Sequence, residues 1–184
     1  MQTAHELFLH ELSDMLDAEQ KLVEALGKQT VESSRPDLQK AFEHHRQQTE
    51  KQVKRLEQVF ESLEEDPEHA ECKGMAGIIG EHDEFMNEQS PSGDLVDIFN
   101  AGAACKVEHY EIAAYTSLIQ LAQQMGHKKA VKLLNQNLKE EQQTLKKMEG
   151  FIKKLKPQHM HPEEVEEIEE VRGEQISERQ RRVA

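Results

Sequence analysis

The sequence predicts an all-α protein, a bundle of four long helices with a short fifth helix in the connection between its two halves. Apolar residues recur at helical spacing over four segments of roughly 30 residues each. Only 4% of the 184 residues are aromatic while 32% are charged, a balance typical of long amphipathic helices rather than sandwiches or barrels. Pro-rich and Gly-rich turn signals lie between these segments, which places the helix ends.

The first two long helices are predicted to form a hairpin. Thr3 and Glu6 have the spacing of a capping box, so the first helix should begin there and continue to about residue 33. Pro36 follows a turn and lies where a helix start tolerates proline, and the second helix should end in the acidic segment 64–67. Because the connection is short, the two helices should pack antiparallel.

A longer connection, residues 66–93, is expected to carry the chain across the bundle. It should contain a short helix at about residues 72–88, followed by a loop at residues 90–93. The third long helix is predicted from about residue 93 to 125, where Gly126 ends it, and the fourth from about 127 to 156. We therefore expect a bundle domain at residues 1–156 and a C-terminal extension at residues 157–184, outside the core.

The two hairpins resemble each other in sequence. One alignment of their helices places Thr49 on Glu141, and a similar one places Glu19 on Glu108. Two related hairpins joined by a long crossover predict the topology of ferritin-like bundles.

Four glutamates lie on the apolar stripes of three of these helices: Glu19, Glu108, Glu111 and Glu141. An ionised carboxylate inside a bundle is costly unless something compensates its charge. Several carboxylates from different helices therefore suggest a divalent cation, and oxygen ligands suit iron, manganese, magnesium or calcium better than zinc. We predict a metal site at these four residues, with iron or manganese as the metal. The alternative is that they pair with Lys or Arg or lie partly exposed, but the stripes carry no basic residue.

The pattern departs from that of di-iron bundles, in which two helices each supply a Glu and two others each supply Glu-x-x-His. Thr144 follows Glu141 at the position expected for one histidine. The matching pair on the second helix is Thr49 and Gln52, so both of its expected ligands are missing.

Ten histidines occur in the chain, and most are interpreted as unrelated to the metal. His45, four residues before Thr49, is the one expected to come nearest the site, and it is interpreted as a hydrogen-bonded core residue. His109 should point away from Glu108, towards the surface or an outer layer of the site. Four others are expected near solvent: His44, His69, His82 and His127.

The net charge and the cysteine content restrict the partners and the location that the sequence suggests. A net charge of −13 disfavours nucleic acid or an anionic membrane as the main partner. The two cysteines form no Cys-x-x-Cys pair, and we find neither a signal peptide nor an apolar run of spanning length. We therefore expect a cytoplasmic protein.

Four segments carry a resemblance to a known family: LFLHELSDMLDAEQKLVEAL, HHRQQTEKQVKRLEQVF, KVEHYEIAAYTSL and LKEEQQTLKKM. In order, they resemble the bacterial YciE/YciF-type ferritin-like proteins, distant relatives of rubrerythrin, over about residues 5–155. VEHYEIAAY is the most specific piece. The resemblance implies a ferritin-like four-helix fold, a homodimer and an association with stress response. Members of the family often carry Glu at the position of Gln48, and some carry His at that of Gln52.

Two functional hypotheses follow. The first is a stress-response protein with a carboxylate-rich divalent metal site in a redox or peroxide-protective role. The second is a non-enzymatic, stress-associated bundle that has kept the scaffold and only part of the site. The buried carboxylates favour the first hypothesis, and the missing Glu-x-x-His pairs favour the second.

Overall fold

The structure, a computed structural model, describes residues 1–161 and is all-α over that range. It contains five helices: α1 (Ala4–Glu32), α2 (Pro36–Leu63), α3 (Lys73–Gln89), α4 (Gly93–Gln124) and α5 (Lys128–Lys154). The predicted class, the four long helices and the short crossover helix are confirmed. Residues 162–184 lie outside the described range, so the extension predicted at residues 157–184 stays a prediction.

The helix ends agree with the turn and cap signals in the sequence. The Thr3 hydroxyl accepts from the Glu6 backbone N–H, and the Glu6 carboxylate accepts from the Thr3 N–H at 3.0 Å, which forms the predicted capping box. Pro36 is the first residue of α2, where its missing N–H leaves no hydrogen bond unmade. Gly126 has a φ of 77°, a backbone conformation that favours glycine, and it lies in the turn between α4 and α5.

Contacts between helix ends fix the topology. α1 packs against α2 and α4, and α5 packs against α4 and α2, so α1 and α5 lie diagonally opposite each other. The Ser34 backbone N–H, in the α1–α2 turn, donates to Asp97 Oδ1 at 2.7 Å, near the start of α4. Because α2 and α4 begin at the same end, they run parallel and every neighbouring pair of long helices is antiparallel. α3 brings the chain back along the bundle and packs on α1 and α4.

The core is mainly apolar towards both ends of the bundle and polar in the middle, although Ser33, Asp97 and Asn100 are also buried near the start of α4. The apolar parts include Phe8 and Leu12 towards one end and Leu26, Leu38 and Phe42 towards the other. Between them lies a layer of buried polar side chains: Glu19, His45, Thr49, Gln52, Glu108, Glu111, Asn137, Glu141 and Thr144. These nine residues come from all four long helices, so the fold concentrates its chemistry at half its length. Over residues 1–161 we find no helix with the length and apolarity that a membrane span requires.

Two glycines of α3 offer a test of its stability. A Cβ at Gly77 or Gly80 would meet no atom within 4 Å, and glycine in a helix costs about 0.5–1 kcal/mol relative to alanine. We expect Gly77→Ala and Gly80→Ala each to slow amide hydrogen exchange throughout α3. Gly74→Ala is the contrasting variant, because its Cβ would lie 2.6 Å from Tyr110 Cε2 and should not stabilise the helix. Faster exchange in the first two variants would contradict the assigned helix.

Candidate metal centre

Four buried side chains meet in the polar layer. His45 comes from α2, Glu108 and Glu111 from α4, and Glu141 from α5. One potential ligand atom from each of them lies within 4.8 Å of the corresponding atoms of the others. The structure thus brings together three of the four predicted glutamates and adds a histidine. We call these four residues the cluster.

Helical geometry explains why the cluster forms at this level. Glu108 and Glu111 are three residues apart, so they share one face of α4, and that face is buried. Each cluster residue lies within the interior of its helix, where the backbone hydrogen bonds are complete. The side chains, not free backbone groups, therefore decide what the layer can bind.

The glutamate oxygens of the cluster have few partners. Both oxygens of Glu108, both of Glu111 and one of Glu141 are buried without a hydrogen bond to any residue of the described range. His45 Nε2 lies 3.4 Å from Glu108 Oε1 and 3.8 Å from Glu141 Oε2, but neither ring nitrogen makes a hydrogen bond. Within residues 1–161 no lysine or arginine forms an ion pair with a glutamate of the cluster. Such atoms are costly in a protein interior unless a proton or a cation satisfies them.

Burial shifts the protonation of these groups in opposite directions. Loss of water, followed by repulsion from neighbouring carboxylates, raises the pKa of Glu108 and Glu111 well above the ordinary value of 4.5. Loss of water also raises the pKa of Glu141 to about 8, and it lowers the pKa of His45 from 6.5 to about 4. Without a cation, the cluster therefore holds protonated carboxyls and a neutral imidazole near neutral pH.

Glu19, the fourth predicted ligand, is buried but lies outside the cluster, in a hydrogen-bonded chain. The Tyr115 hydroxyl donates to Glu19 Oε1, and Asn137 Nδ2 donates to that hydroxyl oxygen at 2.8 Å. Arg55 donates to Asn137 Oδ1 and forms a two-pronged ion pair with Glu140 at 2.8–2.9 Å. Arginine can only donate hydrogen bonds. Arg55 therefore fixes which group donates and which accepts in each hydrogen bond of the chain from Asn137 through Tyr115 to Glu19. Glu19 Oε2 has no hydrogen-bond partner in the part of the chain that the structure describes, and the role of Glu19 as a ligand stays a prediction.

Gln52 occupies the position where a histidine was expected. It is fully buried, and its amide donates to Glu141 Oε1 and, at 3.2 Å, to Glu140 Oε2. The neighbouring Thr49 hydroxyl is buried and has no hydrogen-bond partner among residues 1–161. The amide thus holds one oxygen of Glu141 and leaves the other free, which orients that carboxylate towards the cluster.

The interpretation of His45 as a hydrogen-bonded core residue is wrong in one respect: the residue is buried, but its ring nitrogens are unpaired. Two signals could have indicated this. His45 shares the inward face with Thr49, and the alignment of the hairpins pairs it with Asn137, another buried polar residue of the same layer. The cluster therefore obtains its imidazole from a residue about two helical turns before Gln52, where the histidine of the di-iron pattern is expected.

The prediction that His82 lies near solvent is also wrong. Its side chain is buried, its Nε2 lies 2.7 Å from Asn100 Oδ1, and its ring stacks on Phe99 with centroids 5.5 Å apart. His82 is buried because α3 packs on α4, and the sequence of α3 alone does not indicate that contact. His109 is exposed, in agreement with its predicted position at or near the surface.

Comparison with known proteins places the chain in a family. The sequence profile of the DUF892 family, described as a domain of unknown function, matches residues 3–161. The chain belongs to the DUF892 family. Protein YciF of Escherichia coli K12 is 40% identical to this DUF892 chain over 145 residues, which cover 78% of the chain and 87% of YciF. The resemblance to YciE/YciF-type proteins drawn from the sequence is thus confirmed.

Solved structures agree with the fold of the DUF892 chain. The crystal structure of the E. coli stress protein YciF has a TM-score of 0.79 at 38% identity, covering 83% of the chain and 96% of YciF. YcfI from Rhodopseudomonas palustris has a TM-score of 0.77 at 37% identity, covering 80% and 94%. A protein from Xanthomonas campestris, 16% identical with a TM-score of 0.66, shares the fold over 82% of the chain and 92% of its own.

Protonation of the cluster determines how the metal-free DUF892 chain should respond to pH. A glutamate with a raised folded pKa stabilises the fold below the unfolded value of 4.5, and this contribution is lost as pH rises through the folded pKa, about 8 for Glu141. His45 acts oppositely, because its contribution is present above 6.5 and is lost as pH falls through about 4. With several carboxyls against one imidazole, we expect the free energy of unfolding in chelator to fall as pH rises from 4.5 to about 8.

Urea unfolding at a series of pH values measures this slope. Glu108→Gln should make the slope shallower, because an amide cannot ionise. The exposed Glu57 on α2 is the matched control, and Glu57→Gln should leave the slope unchanged. An identical slope in both variants would show that the cluster does not hold protons in the folded state.

Proposed function

We propose that this DUF892 protein is a stress-response protein that holds a divalent metal ion, iron or manganese, at its cluster and uses it in a redox or peroxide-protective role. The observation that carries the proposal is the set of buried carboxylate oxygens without partners on Glu108, Glu111 and Glu141. The E. coli relative is named a stress protein, which supports the association with stress.

The donor atoms fit such an ion. Three carboxylates and one imidazole form an oxygen-rich set of ligands. Such a set suits Fe(II) and Mn(II), whereas zinc sites are typically rich in thiolate or histidine ligands. His45 is neutral at pH 7 because of its lowered pKa, so a ring nitrogen with a free lone pair is available as a metal ligand. Glu19 Oε2 would extend the set if a second ion were bound. A bound iron or manganese ion supplies one-electron redox chemistry towards oxygen or peroxide.

Hydrogen bonds from the surrounding residues would keep the carboxylates in position. Gln52 holds one oxygen of Glu141, and the chain from Arg55 holds one oxygen of Glu19, so each carboxylate keeps one oxygen for a cation. Release of the carboxyl protons accompanies cation binding, which makes metal affinity rise with pH.

Assembly and location are part of the proposal. A homodimer is supported by the resemblance to YciE/YciF-type proteins. A cytoplasmic location is supported by the free thiols of Cys72 and Cys105.

A second candidate is a non-enzymatic bundle that keeps a degenerate site. The Gln52 amide favours it, because a donor bonded to Glu141 partly satisfies that carboxylate without any metal. Protons could then satisfy the remaining oxygens. Thermal stability in the presence of metal ions separates the two candidates.

Melting in chelator, Mn(II), anaerobic Fe(II) and Mg(II) tests the site. An ion that binds only the folded state stabilises it by RT ln(1 + [L]/Kd), which is about 2.7 kcal/mol at 100 times Kd. We expect Mn(II) or Fe(II) to raise the melting temperature, Glu108→Gln to reduce that gain and Glu57→Gln to leave it intact. If no ion moves the melting temperature of the unsubstituted protein, the degenerate bundle is the correct reading.

Two adjacent histidines give a sharper comparison. His45 is buried in the cluster, whereas His44 is exposed on the same helix. We expect His45→Gln to weaken Mn(II) binding about 10-fold or more, because it removes the only nitrogen donor of the cluster, and His44→Gln to have no effect. Isothermal titration calorimetry on the metal-free proteins measures both. Equal affinities in the two variants would remove His45 from the site while leaving the glutamates as ligands.

A further inference from the structure

A small pocket lies under α3, next to the cluster. It occupies the gap between α1 and α4, and its volume is about 20 Å³. Leu26 of α1 and Ala104 of α4 line its buried part, and Ile78 and Ile79 of α3 form its half-buried outer wall. His45 lines the same pocket, so the space reaches the cluster from the side of its imidazole.

The lining restricts what the pocket can hold. Most lining side chains are aliphatic, and the polar ones are His45 within the bundle and Gln29, His82 and Asp83 on the side facing α3. A buried water needs two to four polar partners, and apolar cavities stay dry, so the aliphatic stretch is unsuited to water.

Size restricts the occupant further. A cavity must offer roughly 10–15 Å³ to hold one water-sized molecule, so about 20 Å³ admits one small molecule and no organic substrate. The fitting class is a small apolar diatomic gas.

We propose that the pocket under α3 binds dioxygen and leads it to the His45 side of the cluster. The role of dioxygen as an oxidant at the cluster rests on the proposed function, whereas the binding of dioxygen in the pocket does not.

Dioxygen is paramagnetic, so it speeds relaxation of the methyl protons beside which it resides, and this can be measured on the metal-free protein. With methyl-labelled leucine under raised oxygen pressure, we expect relaxation at Leu26, which is as buried as the controls, to increase several-fold more than at Leu118 and Leu134. The last two are core leucines that do not line the pocket. Equal increases at both sets of methyls would overturn the proposal.

A pair of alanine substitutions tests the position of the gas. Ala25 lines the pocket, whereas Ala114 is equally half-buried against the core but does not line it. Ala25→Leu should reduce relaxation of the pocket methyls to that of the core leucines, and Ala114→Leu should not. An undiminished effect in Ala25→Leu would place the gas elsewhere and overturn the proposal.

Dinitrogen, a diamagnetic gas of the same apolar diatomic class, keeps the proposal testable if Ala25→Leu does not fold. In the unsubstituted protein, raised dinitrogen pressure should compete with dioxygen and reduce relaxation at the pocket methyls alone; no competition there would count against the pocket. Because every measurement is made without metal, failure to bind Mn(II) or Fe(II) would remove the proposed function without deciding the pocket. A negative relaxation result would likewise leave the metal site standing.

Discussion

The cost of burying carboxyl groups is the constraint on which this structure depends. Glu108, Glu111 and Glu141 stand in the centre of the bundle with most of their oxygens unpaired. Moving a charged carboxylate out of water costs several kcal/mol after relaxation, so the layer is neutral or occupied by a cation. The apolar parts of the core on both sides must offset whatever cost remains. Stability therefore resides in the two ends of the bundle and chemistry in its middle.

A hydrogen-bond network divides the buried carboxylates into two kinds. Glu19 and Glu141 each accept a bond from a side chain held by the α2–α5 wall, where Arg55 and Glu140 form an ion pair. The two glutamates of α4 have no such bonds. One side of the site is thus held rigidly by the protein, while the other is free to adjust to a ligand.

The sequence predicted the parts of this structure that depend on local chemistry. Thr3, Pro36 and Gly126 mark helix ends through their own backbone or side-chain preferences, and a glutamate on an apolar stripe is recognisable without a partner. His45 and Arg55 were harder, because periodicity gives the face of a residue but not the register between α2 and its neighbours. The prediction that His82 lies near solvent was wrong for the same reason, because the position of α3 depends on its contacts with α1 and α4.

The alternation of helix direction has an electrostatic consequence. A helix N-terminus carries a partial positive charge that could stabilise anions, but its influence fades within the first turn. Glu108 and Glu141 lie near the middle of helices of 32 and 27 residues, about 20 Å from either end. Antiparallel neighbours also place opposite helix poles side by side at each end of the bundle, so their fields largely cancel. The helix dipoles thus contribute little at the centre of the bundle, and among the described residues Glu108 and Glu111 have no hydrogen-bond donor, so a proton or a bound cation is needed to balance their charge.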